Sequence, residues 1–223
     1  MGYQKINIIT GWITFLIALL VYTLTVEPTA SFWDCGEFIA TSYKLEVPHP
    51  PGAPFFLLMG RMFSLFAGDN VEQVAFWINM LSVLSAAFTV LFLFWSITHL
   101  AKKMLVKAGE VLNTGQTIAV MGAGLVGGLV CTFSDSIWFS AVEAEVYAMS
   151  SFFTAFVFWA ILKWETINDE SDHNKWLILI AYMMGLSIGV HLLNLVTIPA
   201  LGLIVYFKYV EKITPKGVIL TLL

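Results

Sequence analysis

Charge is what this sequence has least of. Only 12% of its 223 residues are Asp, Glu, Lys or Arg, where a soluble domain carries roughly 25%. A chain so poor in solvating groups is not an ordinary soluble enzyme, and 59% hydrophobic residues with a mean hydropathy of +0.84 point to a polytopic membrane protein. Basic patches interleaved with aromatics are also missing, which excludes nucleic acid as a partner. The two cysteines, Cys35 and Cys131, are too few for a disulfide framework or a cysteine-based zinc cluster. A single bridge between them is geometrically conceivable but disfavoured, because a membrane bundle does not need the staples of small secreted domains.

What is present is a series of apolar runs. Residues 6–26 carry no charge, and about 20 such residues cross a bilayer as a helix. That length, with no small-x-small site before Glu27, predicts a retained anchor rather than a signal peptide. Residues 74–97, 117–133, 146–162, 176–190 and 195–207 read as further spans, the last two short, and residues 217–223 begin another. The expected fold class is therefore all-α: a polytopic transmembrane helical bundle of about six spans plus a truncated seventh. Residues 1–223 form one transmembrane domain in this reading, the N-terminal portion of a longer protein. Gly122-Ala-Gly-Leu-Val-Gly-Gly matches G-x-G-x-x-G formally, but inside a span and not between a strand and a helix, so a dinucleotide site is rejected. Gly124 and Gly128 instead predict a small-residue face for close helix packing.

The lysines set the expected orientation. With the N-terminus in the cytoplasm, Lys5, Lys102, Lys103, Lys107, Lys163, Lys175, Lys208, Lys212 and Lys216 fall inside, and only Lys44 and Arg61 fall outside. The opposite orientation violates the positive-inside rule at nearly every loop. The first loop (residues 27–73), the Glu143/Glu145 connection and His191 then share the extracytoplasmic face.

That first loop holds the chemistry. Pro48, Pro50, Pro51 and Pro54 divide it into two short interfacial helices over 38–43 and 55–66. Asp34 and Glu37 are three apart and neighbours on one helical face, which suits a general base or a cation site. The plainer reading makes Asp34 an N-cap with Glu37 three residues on. His49, framed by prolines, can shuttle a proton, bind phosphate when charged or ligate a metal, or serve as hydrogen-bonded structure. Glu143 and Glu145 are secondary candidates for substrate or cation contacts, with helix-dipole compensation as the alternative. The acidic residues 169–172 read as a solvated loop on the other side.

Phe32-Trp-Asp-Cys-Gly-Glu-Phe-Ile-Ala and Val47-Pro-His-Pro-Pro-Gly-Ala-Pro together resemble the opening of a polytopic family common in Bacteroidetes and related to a eukaryotic protein O-mannosyltransferase, a branch of the GT-C glycosyltransferases. The resemblance implies a bacterial inner-membrane enzyme that takes a sugar from a polyprenyl-phosphate carrier on the extracytoplasmic side. It implies that Asp34 is the catalytic or substrate-orienting acid, with Glu37 and His49 in the same site. The expected reaction is inverting transfer of a mannose-like hexose to Ser/Thr of an exported polypeptide. Arg61, His49 and Lys44 are the outer candidates for the leaving phosphate, and Glu143, Glu145 and His191 join the substrate-binding set. No certain cofactor is implied beyond the lipid-linked sugar that serves as donor substrate; a divalent metal at the carboxylates is conceivable, though the sequence offers no closed ligand set. The rival readings are a transporter or lipid-carrier flippase, which calls for charges in mid-span, and a non-catalytic membrane scaffold.

Overall fold

The computed structural model describes residues 2–107, 109–167 and 169–222. Ten α-helices are found among them: α1 (Tyr3–Thr25), α2 (Cys35–Lys44), α3 (Pro54–Ser64), α4 (Val74–Leu105), α5 (Thr114–Thr132), α6 (Asp135–Ala141), α7 (Val146–Glu165), α8 (Glu170–Ile188), α9 (Ile198–Tyr209) and α10 (Pro215–Leu222). Short 3-10 turns precede α4 and α9. The architecture is all-α, as the apolar runs require.

Among the described residues, five helical stretches are long and apolar enough to cross a membrane: Tyr3–Thr25, Val71–Leu105, Thr114–Thr132, Val146–Glu165 and Leu192–Tyr209. The run expected at 176–190 belongs to α8, whose first turns are polar. Asp169 caps it by accepting the Asp172 N–H at 3.0 Å, so the helix starts six residues before the apolar run and replaces most of the expected loop. Likewise α4 carries its helix past residue 97, the expected end of the span, through Lys102 and Lys103 to Leu105. Pro199 does not break α9, because it lies in the first turn, where no intrahelical N–H is needed.

Helix α4 is the spine. It packs on α1, α5 and α7, and its 32 residues extend about 48 Å at 1.5 Å each, beyond a hydrocarbon core of about 30 Å. Gly124 and Gly128 are where α5 meets its neighbours. A Cβ on Gly124 would stand 2.6 Å from Thr98 and 2.7 Å from Phe94, and one on Gly128 would stand 2.9 Å from Thr14. These are contacts that no side chain tolerates unmoved. Buried polar ties add to the packing: the Tyr22 hydroxyl donates to the Thr132 carbonyl at 3.0 Å, and Asn194 joins Thr154 to Ser187 across α7 and α8.

A separate apolar cluster lies under the first loop, where Phe38 of α2, Phe56 and Leu57 of α3, Ile78 of α4 and Met149 and Phe153 of α7 pack together. The two short helices expected in that loop are thus docked on the bundle.

Overpacking a tight helix contact costs about 1–3 kcal/mol. Gly124→Leu should therefore lower the thermal midpoint of the purified protein in detergent. Gly122→Leu should leave it unchanged, because nothing lies within 4 Å of a Cβ there. Equal midpoints for the two variants would contradict the packing assigned to this face.

Candidate functional site

The chain entering the site is strapped to the spine. Asn79, buried on α4, donates its amide hydrogens to the carbonyls of Glu27 at 2.6 Å and Thr29 at 2.9 Å. The Glu27 N–H in turn reaches the Val142 carbonyl at 2.9 Å. Asn79 was not among the residues singled out from sequence, although a lone amide in an apolar run is the kind of signal that marks one.

Helix α2 begins at Cys35 with Asp34 in the N-cap position, yet the Asp34 side chain makes no capping hydrogen bond. The capping box that the spacing permits does not form. Glu37 turns instead to His49: Oε1 accepts the His49 backbone N–H at 2.7 Å, and Oε2 lies 2.8 Å from Nδ1. That contact directs Nε2 toward Asp34, whose Oδ2 is 3.9 Å away. The proline segment sets the backbone of His49, with a cis Pro50–Pro51 bond and a turn closed by the Gly52 N–H on the His49 carbonyl at 2.9 Å. Gly52 sits at φ 78°, which favours glycine. The imidazole lies 5.9 Å from the ring of Phe38, itself edge-on to Phe56 at 5.4 Å, so the apolar cluster beneath steadies the polar one above.

The side chains of Asp34, Glu37 and His49 are 54%, 38% and 47% exposed. One ligand atom from each lies within 4.8 Å of the others, so the trio could also hold a divalent cation. The hydrogen bonds from His49 hold the Glu37 carboxyl below the usual carboxylate range. The bond to Glu37 raises the His49 imidazole, with the charges of Glu37, Asp34 and Glu145 adding to it.

Asp34 also forms part of the wall of a cavity of about 610 Å³. Glu143 and Glu145 line it and are only 3% and 7% exposed. Burial, followed by the negative charge of Asp34, pushes the Glu145 carboxyl up. Its Oε1 accepts from the Cys35 thiol at 3.7 Å, and burial together with the two glutamates pushes that thiol up as well. Both cysteines are free. The remaining wall was not anticipated: Asp135, Ser136, Phe139 and Ser140 come from one face of α6, and Trp33 and Tyr147 complete it. The segment around α6 read as a polar connection, and only its folding into a helix puts positions i, i+1, i+4 and i+5 on one side.

Three expected site residues lie elsewhere. Arg61 donates to the Tyr43 carbonyl at 3.0 Å and to Ser64 Oγ at 3.4 Å, with its guanidinium over the Tyr43 ring at 5.1 Å. It braces α3 against α2 and is absent from the cavity wall. Lys44 is exposed in the last turn of α2, seven residues or about 10 Å along the helix from Glu37. His191 accepts the Leu193 N–H at 3.1 Å and packs on Tyr147 at 5.6 Å, a neighbour of the cavity wall and not part of it. Of Asp34, Glu37, His49 and Arg61, Asp34 alone lines this cavity.

A family model described as the protein O-mannosyl-transferase TMEM260 N-terminal domain matches residues 34–214. The chain belongs to this family. Among curated relatives, the protein O-mannosyl-transferase TMEM260 of Mus musculus is 27% identical over 175 residues, covering 78% of this chain and 22% of that protein. The namesake of Dictyostelium discoideum is 27% identical over 141 residues, covering 63% and 15%. The chain thus spans less than a quarter of the length of these relatives. No solved structure matches it. The TMEM260 match begins at Asp34 and so takes in the Asp34/Glu37/His49 cluster and nearly the whole cavity wall, leaving α1 and α10 outside.

The Glu37–His49 pair is fully charged in the window above the lowered Glu37 value and below the raised His49 value. It is lost as pH falls through the first or rises through the second. In Glu37→Gln the His49 titration followed by NMR should move to lower pH, because the carboxylate that raises it is gone. An unmoved titration would show that the pair does not form.

Proposed function

We propose that this chain carries the reaction loop of a polyprenyl-phosphate-sugar-dependent protein glycosyltransferase. In this reading a mannose-like hexose passes to Ser/Thr of an exported polypeptide at the extracytoplasmic face of the inner membrane, with the N-terminus in the cytoplasm. The family membership and the printed names of the relatives support the reaction class. The observation that carries the reading is the position of Asp34, between the His49–Glu37 pair on one side and a cavity walled by acids and aromatic rings on the other. Aromatic faces and converging polar groups suit a small polar ligand such as a sugar.

The acceptor hydroxyl oxygen attacks the anomeric carbon and gives its proton to the Asp34 carboxylate. The bond from that carbon to the phosphate oxygen breaks, and its electron pair leaves with the phosphate, inverting the anomeric centre. His49, whose protonated form the contact with Glu37 favours, faces the negative charge that develops on the leaving group. It takes the role for which Arg61, already engaged with Tyr43, is poorly placed. Glu145, whose proton is retained more readily, can donate to a sugar hydroxyl.

A transporter or flippase is the weaker reading. Among the described residues of the five membrane-length stretches, the charged side chains lie near the ends: Lys5 in α1, Glu72 just before α4 and Lys102 and Lys103 near its end, Lys163 and Glu165 in α7, Lys208 before the end of α9.

Transfer of radiolabelled hexose from a polyprenyl phosphate to an exported acceptor, in membranes containing the protein, tests the proposal. Asp34→Asn should reduce the rate about 100-fold to 10,000-fold, the usual contribution of a positioned base. Unchanged transfer overturns the role of Asp34. Chelation with EDTA separates base from metal ligand: activity lost to EDTA and restored by Mg²⁺ or Mn²⁺ would reassign Asp34, Glu37 and His49 to holding a cation.

A further inference from the structure

A second cavity lies at the other end of the bundle, where α1 begins and α4 and α7 end. Its volume is about 840 Å³, and its wall carries Lys102, Lys103, Lys107, Lys163 and His99 against two carboxylates, Glu110 and Glu165. Both carboxylates are engaged. Glu165 is ion-paired with Lys103, and Glu110 accepts the backbone N–H of Lys107 at 3.0 Å. The ammonium groups of Lys102, Lys107 and Lys163 therefore have no carboxylate partner among the described residues.

Converging like charges in a concave, partly apolar wall concentrate positive potential, and an anion relieves it. Two further features describe that anion. Tyr3 and Trp95 line the same cavity, and aromatic rings at the ends of spanning helices mark the headgroup level of a bilayer; Lys102 lies over the Tyr3 ring at 5.0 Å. The side-chain oxygen of Asn7, also in the wall, is buried without a hydrogen-bond partner. A group that brings a negative phosphate to the lysines and a hydroxyl to Asn7 would complete the site.

We propose that this cavity binds the headgroup of an anionic phospholipid bearing a hydroxyl, of the phosphatidylglycerol type. Basic pockets between spanning helices suit such headgroups. The site is separate from the Asp34 cluster, at the opposite end of α4, and the proposal does not depend on the glycosyltransferase reading.

Short-chain phosphatidylglycerol titrated into the purified protein in a non-ionic detergent, with binding read by native mass spectrometry, provides the test. Saturable binding is expected, while phosphatidylcholine binds at least tenfold more weakly. Lys102→Gln/Lys163→Gln should weaken phosphatidylglycerol binding roughly 25-fold, at about fivefold per lysine near an anionic headgroup. Lys107→Gln, in the segment after α4, spares the helix packing and should weaken it roughly fivefold; Lys5→Gln, outside the cavity, should have no effect. Phosphatidylmethanol, with the same charge but no hydroxyl, should bind more weakly to wild type and equally to Asn7→Leu. Unaltered affinity in the correctly folded double and Lys107→Gln variants overturns the site. Inorganic phosphate binding as tightly as the lipid overturns the lipid assignment, and equal binding of the two lipids to wild type overturns the role of Asn7.

Discussion

The two-point contact of Glu37 with His49 turns two motifs twelve residues apart into one cluster. One carboxylate oxygen holds the His49 backbone and the other holds its ring, so both the position and the rotation of the imidazole are specified. With Nδ1 engaged, Nε2 is the nitrogen left to face Asp34. The environment of the second nitrogen of a histidine commonly follows from what the first one holds. Neither residue could be held this way by a flexible loop, so the contact depends on the rigid proline turn on one side and on α2 on the other.

The ion pair is exposed and would be of little worth for stability alone. What steadies it lies below. Phe38 is one residue after Glu37 and points into the buried cluster, where it meets Phe56 and touches the His49 ring. The apolar face of α2 thus docks the helix while its polar face presents the site. Asn79 fixes the beginning of the same loop by satisfying two backbone carbonyls from inside a spanning helix. A buried amide whose hydrogens are both used in this way is costly to replace, because the carbonyls it serves would lose their partner.

The bundle has two unlike ends. Near the Asp34 end, buried carboxylates converge at Glu143 and Glu145, and Glu145 retains its proton more readily. At the far end, lysines outnumber acids around a larger cavity. The long α4 reaches from one region to the other, and the small-residue face of α5 lets α1 and α4 approach closely enough to form a single packed body.

By itself the sequence determined the class of fold and the loop in which an ionisable cluster gathers. Scarce charge and long apolar runs leave an all-α membrane bundle as the outcome, since backbone polar groups in lipid must be satisfied within helices. The Asp34, Glu37 and His49 cluster was legible because ionisable residues framed by prolines stand out in so apolar a chain, and Gly124 and Gly128 because their spacing matches a helix face. The extent of α8 was not legible, since polar first turns held by an Asp169 cap look like a loop when hydropathy alone is read. Only the tertiary structure decided which groups share a site. It drew Arg61 away to Tyr43, brought one face of α6 to Asp34, and left the capping box unmade because Glu37 found a better partner in His49. Those choices depend on long-range contacts between helices, which local spacing does not encode.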